Sequence, residues 1–123
     1  MADIFDMQDK MRIVQELVPG RQITLAHIIA NPDPILYQKL GLDPSLDYSH
    51  SAIGILTVSP AETAVITADI ALKSSGAELG FVDRFSGTLI ITGRVAEVES
   101  SFHAISDYFK GTLGFTVCDV TKT

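Results

Sequence analysis

Apolar and polar residues follow a regular pattern from residue 52 onward, and this pattern predicts a succession of strands and helices. β-Branched and apolar runs predict strands over Ala52–Val58, Ala77–Arg84, Thr88–Thr92 and Phe115–Val120, followed by a polar tail over 121–123. Apolar residues at spacings of three and four predict helices from Ala61 to about Ser75 and from Val95 to Gly111. This order of elements is typical of an α+β domain, in which helices cover one side of a sheet that contains antiparallel strands.

Two further elements precede this unit. The run ITLAHIIA (Ile23–Ala30) is rich in β-branched residues and is typical of a buried strand. A short helix is then predicted, with Asp33 as its N-cap, Pro34 at its first helical position and Gly41 at its end. Leu42–Ser51 is polar and predicts a loop.

The helix predicted after residue 60 has a capping sequence at its start and mostly small side chains on its inward face. Ser59, Pro60 and Glu62 have the order of a capping box, and Gly76 predicts the end of the helix. The residues predicted to face inward are mostly small: Ala61, Ala64, Val65, Ala68, Ala71 and Leu72. We therefore expect this helix to lie close to the surface that it covers.

The N-terminal residues form two segments of different character. Residues 1–10 are polar and acidic without a sustained period, and they predict a flexible lead-in. The next eight residues predict an extended strand that is moderately apolar on both sides: Met11, Arg12, Ile13, Val14, Gln15, Glu16, Leu17 and Val18. This strand stands apart from the other predicted elements. Because unpaired strand edges need partners, we expect several copies of the chain to complete one another.

Length and charge exclude several classes of function. The chain has 123 residues, a size that favours one domain, over 19–123. Its formal net charge is −6, and its 9 Lys and Arg are not clustered, so we expect no nucleic-acid partner. No apolar run reaches the roughly 18 residues that a membrane span needs. The single cysteine, Cys118, suits a reducing cytosol and predicts a small buried side chain, and we therefore expect a cytoplasmic protein.

Patterns that carry catalytic chemistry are sparse. His27, His50 and His103 are far apart and lack metal-ligand spacing, so we expect no metal. The sequence also has no nucleophile elbow and no glycine-rich nucleotide loop, and it predicts no cofactor. Two classes of function stay open on these grounds. One is an oligomeric small-molecule-sensing regulatory domain of ferredoxin-like fold, and the other is an enzyme that uses His27, His103 or Asp69 in a cleft between subunits.

Four segments resemble a known family. They are VPGRQITLAHIIANP (Val18–Pro32), AIGILTVSPAETAVITADIALKSSG (Ala52–Gly76), ELGFVDRFSGTLIITGRVAEVE (Glu78–Glu99) and FTVCDVTKT (Phe115–Thr123). Together they are similar to the circularly permuted shell proteins of bacterial microcompartments, above all to the ethanolamine-utilisation and propanediol-utilisation members. The resemblance implies a structural protein, not an enzyme. It also implies that the elements over 23–40 are the permuted last strand and short helix of the common shell domain.

The resemblance further implies an assembly and its partners. Six chains would form a hexagonal tile that packs with other shell proteins around encapsulated enzymes of ethanolamine, choline or propanediol degradation. The strand 11–18 matches a segment that forms a small β-barrel over the central pore in relatives. The hairpin of Asp83, Arg84, Phe85, Ser86 and Gly87 matches a loop around the six-fold axis, and Lys73 matches a lysine at the hexagon edge. Since Phe85 is bulky and its two neighbours are charged, free passage of polar metabolites is not expected.

Overall fold

The computed structural model describes residues 20–123, which contain six strands and three α-helices. The strands are β1 (Gln22–Ile29), β2 (Ala52–Ser59), β3 (Glu78–Asp83), β4 (Thr88–Gly93), β5 (Thr116–Val117) and β6 (Thr121–Lys122). The helices are α1 (Ile35–Lys39), α2 (Ala64–Ser74) and α3 (Val95–Gly111). The predicted α+β class is confirmed. The predicted barrel-forming strand over 11–18 and the predicted lead-in over 1–10 lie outside the described residues.

The strands form one mixed sheet in the order β3, β4, β2, β1, β5, and β6 also pairs with β1. The pairs β1 with β2, β2 with β4, and β3 with β4 are antiparallel. The short strands β5 and β6 both run parallel to β1. The first strand of the described residues, β1, therefore lies inside the sheet, between β2 from the middle of the chain and the short strands β5 and β6 from its end.

Both longer helices cover the same face of the sheet. The amphipathic stripe of α3 supplies four fully buried side chains to this core: Val98, Phe102, Ile105 and Phe109. Gly54 of β2 lies directly beneath them, since a Cβ placed there would come within 2.6 Å of Val98 Cγ1. Burial of each large apolar side chain contributes about 1.5–3 kcal/mol, so this layer is the main source of the fold's stability.

A second, smaller apolar cluster covers part of the opposite face. Tyr37 of α1 and Leu42 pack there on Ile53 and Ile90 of the sheet. The Tyr37 ring is stacked on the ring of Tyr48, with 4.4 Å between the centroids. The predicted loop over 42–51 thus packs on the sheet through apolar contacts.

The start of α2 differs from its prediction. Residues 61–63 form a 3₁₀ turn, and the α-helix begins at Ala64. No side-chain hydrogen bond caps the N-terminus of the 3₁₀ turn or that of the α-helix. The predicted capping box at Ser59 and Glu62 is therefore wrong. The Ser59–Pro60 peptide bond is cis.

The inward face of α2 also differs from its prediction. Ala64, Ala68 and Ala71 are buried as predicted, but Val65 and Leu72 are exposed. Thr67 takes the remaining inward position because its hydroxyl donates to the Ala64 carbonyl oxygen at 2.6 Å and is satisfied without water. The helix therefore presents apolar side chains on its outer side.

The C-terminal residues form two short strands in place of the single predicted strand Phe115–Val120. The chain pairs with β1 over Thr116–Val117, leaves it, and returns over Thr121–Lys122. The predicted polar tail over 121–123 is thus part of the sheet. Hydrogen bonds explain the difference, since the Thr123 N–H donates to the Ile28 carbonyl oxygen at 2.9 Å.

Candidate functional site

The turn between β3 and β4, residues 83–87, forms a rigid hairpin tip. The Asp83 carboxylate accepts hydrogen bonds from the Phe85 N–H and from the Ser86 hydroxyl, each at 2.8 Å. These hydrogen bonds lower the pKa of Asp83 because they favour the charged carboxylate. The bond from the Phe85 N–H makes the larger contribution, and the bond from the Ser86 hydroxyl makes the smaller one. The Gly87 N–H closes the turn by donating to the Asp83 carbonyl oxygen at 2.9 Å. The loop backbone is therefore held by its own side chains.

The hairpin tip presents an aromatic side chain to the outside. Phe85 is 81% exposed in the single chain. The Arg84 guanidinium lies 4.9 Å from the centre of the Phe85 ring, within the range of a cation–π interaction. A large exposed aromatic ring beside an ordered arginine is typical of a surface that contacts another molecule.

The chain enters the described domain next to this tip. A Cβ placed on Gly20 would lie 3.9 Å from Ser59 Cβ, so the first described residue is close to the end of β2. At the same end, the Val58 N–H donates to the Gly87 carbonyl oxygen at 2.9 Å. The first described residue, Gly20, consequently lies at the end of the sheet that carries the hairpin tip.

Lys73 lies in the last turn of α2, on its exposed side. Its Nζ is 2.9 Å from the Asp69 carboxylate, one helical turn earlier, and both side chains are largely exposed. Three apolar residues of the same helix are also exposed: Val65, Ile66 and Leu72. The outer face of α2 therefore combines a charged pair with apolar surface.

His27 fastens the C-terminal strand to the sheet. Its Nδ1 lies 2.6 Å from the Thr121 hydroxyl, and its Nε2 lies 2.9 Å from the Thr123 hydroxyl. Both ring nitrogens are thus engaged in structural hydrogen bonds. His103 is exposed on α3 and Asp69 is paired with Lys73, and within residues 20–123 no hydrogen bond or ion pair joins the three proposed catalytic residues.

Residues 20–123 contain neither a metal-ligating cluster nor a membrane-spanning helix. Among residues 20–123, no group of three or more His, Cys, Asp or Glu side chains could hold a metal ion. Within the same range, every helix is too short or too polar to cross a bilayer.

Cys118 is half-buried, and burial raises the pKa of its thiol. A thiol of raised pKa is a poor nucleophile at neutral pH.

The chain matches a known domain and several characterised relatives. The model of the BMC domain family matches residues 52–120. The bacterial microcompartment shell protein PduU of Salmonella typhimurium (strain LT2) is 46% identical over 112 residues, which are 91% of this chain and 93% of that protein. The shell protein EutS of Escherichia coli (strain K12) is 45% identical over 115 residues, covering 94% and 99%. The chain belongs to the bacterial microcompartment shell proteins.

Solved structures give the same result for the fold of this shell protein. A structure described as a CutR flat hexamer, form 1, is 44% identical, with a TM-score of 0.78 over 86% of this chain and 94% of that one. A CutR screw with a 41.9 Å pitch is 44% identical, with a TM-score of 0.75 over 85% and 100%. A fused permuted hexameric shell protein is 25% identical, with a TM-score of 0.64 over 78% and 50%. The predicted permuted shell domain is confirmed.

Family membership also decides the class of function. The shell protein is structural, as expected, and the alternatives of an enzyme and of a sensing domain lose their support. The matched domain begins at residue 52, so β1 and α1 precede it along the chain while β1 lies inside its sheet. This placement agrees with a permuted order of elements.

Two features were missed by reasoning from the sequence. His27 was recognised as structural, but its partners in β6 were not, because contacts across 94 and 96 residues leave no local signal. A cavity between α1 and the loop over 42–51 was also missed. Its only trace in the sequence is the concentration of Pro, Tyr and Leu in a segment that otherwise reads as a polar loop.

Proposed function

We propose that this shell protein forms a homohexameric tile in the shell of a bacterial microcompartment. The observation that carries the proposal is its likeness to a relative of 44% identity whose structure is described as a flat hexamer. Exposed apolar side chains support it, since Leu25, Leu72 and Leu79 are each 38–46% exposed in the single chain. Contact with neighbouring copies would remove such surface from water.

The hairpin tip is proposed to surround the six-fold axis, with the strand 11–18 forming a barrel above it. The entry point of the chain supports this arrangement, because Gly20 lies beside Ser59 at the end of the sheet that carries the hairpin tip. A strand leaving from that point can reach the space over the tip. Six Phe85 rings around an axis would narrow the opening and disfavour passage of polar metabolites.

Lys73 is proposed to lie at the edge where hexamers meet. Its exposed position on the outer face of α2 supports this placement, as does the apolar surface of Leu72 beside it. In the single chain its partner is Asp69 of the same helix. A surface ion pair of this kind is weak, so Lys73 can exchange its partner for a group on a neighbouring tile.

The enclosed enzymes are proposed to belong to ethanolamine degradation or to the related pathways for propanediol and choline. The names of the relatives support this range, since PduU and EutS match the chain almost equally well. Other shell proteins of the same compartment and the encapsulated enzymes are the proposed partners. We place the assembly in the bacterial cytoplasm, where such shells enclose their enzymes.

Native mass spectrometry of the purified full-length chain tests the tile. Six copies of the 13.3-kDa chain give a particle of about 80 kDa, either alone or as the repeating unit of larger sheets. Electron microscopy of the same sample should show six-fold rings. A stable monomer or dimer at high protein concentration would contradict the proposal.

A further inference from the structure

The cavity between α1 and the loop over 42–51 has the dimensions of a ligand pocket. It offers about 720 Å³ and lies on the face of the sheet opposite to α2 and α3. Pockets of roughly 300–1,000 Å³ are the usual size for sites that bury a small organic ligand. The cavity also lies at the end of β1 and β2 that is remote from the hairpin tip, since Asn31 and Ser51 line it. It is therefore separate from the proposed pore.

Flat apolar surfaces form much of the cavity wall. Tyr48 lines it and stacks on Tyr37 with an angle of 10° between the rings. Tyr37 is buried, so the accessible part of this pair belongs mainly to Tyr48. Pro32, Pro34 and Pro44 supply further flat and rigid surface. Walls of this shape favour a planar ring, because ring faces stack with large contact area and little loss of conformational entropy.

The polar groups in the wall have a common character. Both tyrosine hydroxyls are already engaged, since that of Tyr37 donates to the Ser51 carbonyl oxygen at 2.8 Å and that of Tyr48 donates to the Asp43 carbonyl oxygen at 3.0 Å. The side chains of Asn31, Gln38 and His50 line the cavity, and each offers both donors and acceptors. Ligand groups at the edge of a ring can therefore find hydrogen-bond partners of either kind.

The lining of the cavity carries no Asp, Glu, Lys or Arg side chain that could pair with an ionic ligand. An ion that gives up water there gains no counter-charge from the lining residues, which disfavours it relative to a neutral ligand. An uncharged ligand meets no such penalty. The walls and the polar groups together thus favour a neutral molecule with a flat face and a hydrogen-bonding edge.

We propose that this cavity binds an uncharged planar heteroaromatic ring, of the size of a nucleobase or a nicotinamide, stacked on Tyr48 and hydrogen-bonded by the side chains of Asn31, Gln38 and His50. The inference does not depend on the hairpin tip, the barrel or the hexamer edge. It assigns to a structural tile a ligand site on the sheet face opposite to its helices. Occupancy would stiffen the segment 31–51, because the ligand would bridge α1 and the loop.

The test uses the native assembly of the full-length chain and three neutral probes: adenosine, nicotinamide and riboflavin. Binding is measured by saturation-transfer NMR and by calorimetry, with AMP and ribose as the charged and the saturated comparison. We expect at least one of the three probes to bind with a dissociation constant of about 1 mM or lower. AMP should bind more weakly than adenosine, and ribose should give no transfer.

Two matched variants locate the site. Tyr48→Leu removes the ring but keeps apolar bulk, and it should weaken binding of that probe on the order of tenfold, as loss of one aromatic stacking partner does. Tyr108→Leu alters an exposed tyrosine of α3 outside the cavity and should leave binding unchanged. Circular dichroism checks that both variants fold. If Tyr48→Leu does not fold, Gln38→Ala, an exposed position in α1, replaces it and should weaken binding several-fold.

Three results would overturn the inference. The first is that none of the neutral probes binds below about 1 mM. The second is that binding is the same in the wild type and in the folded cavity variant, which would place the site elsewhere. The third is a preference for AMP or ribose over adenosine, which would contradict a neutral planar ligand. The mass of the assembly is measured in the same samples, so failure of ligand binding and failure of the tile are separate outcomes.

Discussion

At the scale of single residues, the hairpin tip depends on Gly87. Its φ of +75° lies in the left-handed region, where side chains are disfavoured by about 1–2 kcal/mol. A Cβ there would also come within 2.2 Å of the Val58 carbonyl oxygen, and this oxygen belongs to the neighbouring strand and cannot move away easily. The turn thus needs glycine for its conformation and also for the close approach of β2.

Gly87→Ala should therefore destabilise the domain by about 2–4 kcal/mol, since it combines the conformational penalty with a backbone clash. The measurement is the free energy of unfolding in urea. Gly114→Ala is the matched control, because Gly114 has a φ of +73° but no heavy atom within 4 Å of its Cβ position. This control should lose only about 1–2 kcal/mol. Equal losses for the two variants would contradict the role of the clash.

At the scale of elements, the sheet is completed from both ends of the described chain. β1 accepts β5 and β6 as parallel neighbours on one side and β2 as an antiparallel neighbour on the other. Strands of two residues contribute few backbone hydrogen bonds, so β6 needs further contacts to stay in place. His27 supplies two of them, and the ion pair of Lys122 with Glu99, at 2.8 Å, supplies another.

His27→Ala should loosen β6 and leave the rest of the domain intact. Two hydrogen bonds of the half-buried His27 ring are lost, and we expect a cost of about 1–2 kcal/mol in the free energy of unfolding. Amide hydrogen exchange should accelerate at Ala30 and Thr123, whose N–H groups bond across this edge. His103→Ala, at an exposed position of α3, serves as control. Unchanged exchange at Ala30 in the His27 variant would argue against the fastening role.

At the scale of the whole molecule, the described domain contains its own core. Among residues 20–123, the buried members of both apolar clusters lie between Ile23 and Phe115. The outer face of α2 and the hairpin tip lie outside these clusters. Folding of one chain and the proposed contacts between chains therefore involve different residues.

Removal of residues 1–18 should leave the fold and the six-fold ring in place. We expect an unchanged circular dichroism spectrum and a native mass equal to six shortened chains. Cryo-electron microscopy of the wild-type ring should show density over the axis that the shortened protein lacks. An unfolded truncated chain, or density over the axis that persists without these residues, would refute the barrel assignment.

Lys73→Ala should leave the hexamer intact and weaken contacts between hexamers. Its carboxylate partner Asp69 lies on the same exposed face of α2, so the domain itself loses only a weak surface ion pair. Sheet or tube formation under electron microscopy is the measurement. Lys110→Ala, which removes an exposed lysine from the last turn of α3, is the control. If both variants form sheets equally well, the proposed placement of Lys73 at the hexamer edge is contradicted.

Local patterns were sufficient for most of the elements and for part of the candidate site. The stripe from Val95 to Phe109 and the hairpin around Gly87 were predicted with correct positions, because their signals lie within a few residues. The orientation of α2 was predicted less well. Val65 and Leu72 are apolar and were placed inward, but only the position of the sheet decides which side of a helix of small residues is covered.

The sequence by itself determined the α+β class, the shell family and the glycine turn at the hairpin tip, because each depends on residue types at short spacings or on motifs read directly. Only the tertiary structure decided that 121–123 pairs with β1, that Gly20 lies beside Ser59 at the end of β2, and that α1 and its loop border a cavity. These features bring together residues that are distant along the chain. Their contacts are set by the packing of the whole sheet and its two faces, which no local pattern of residues records.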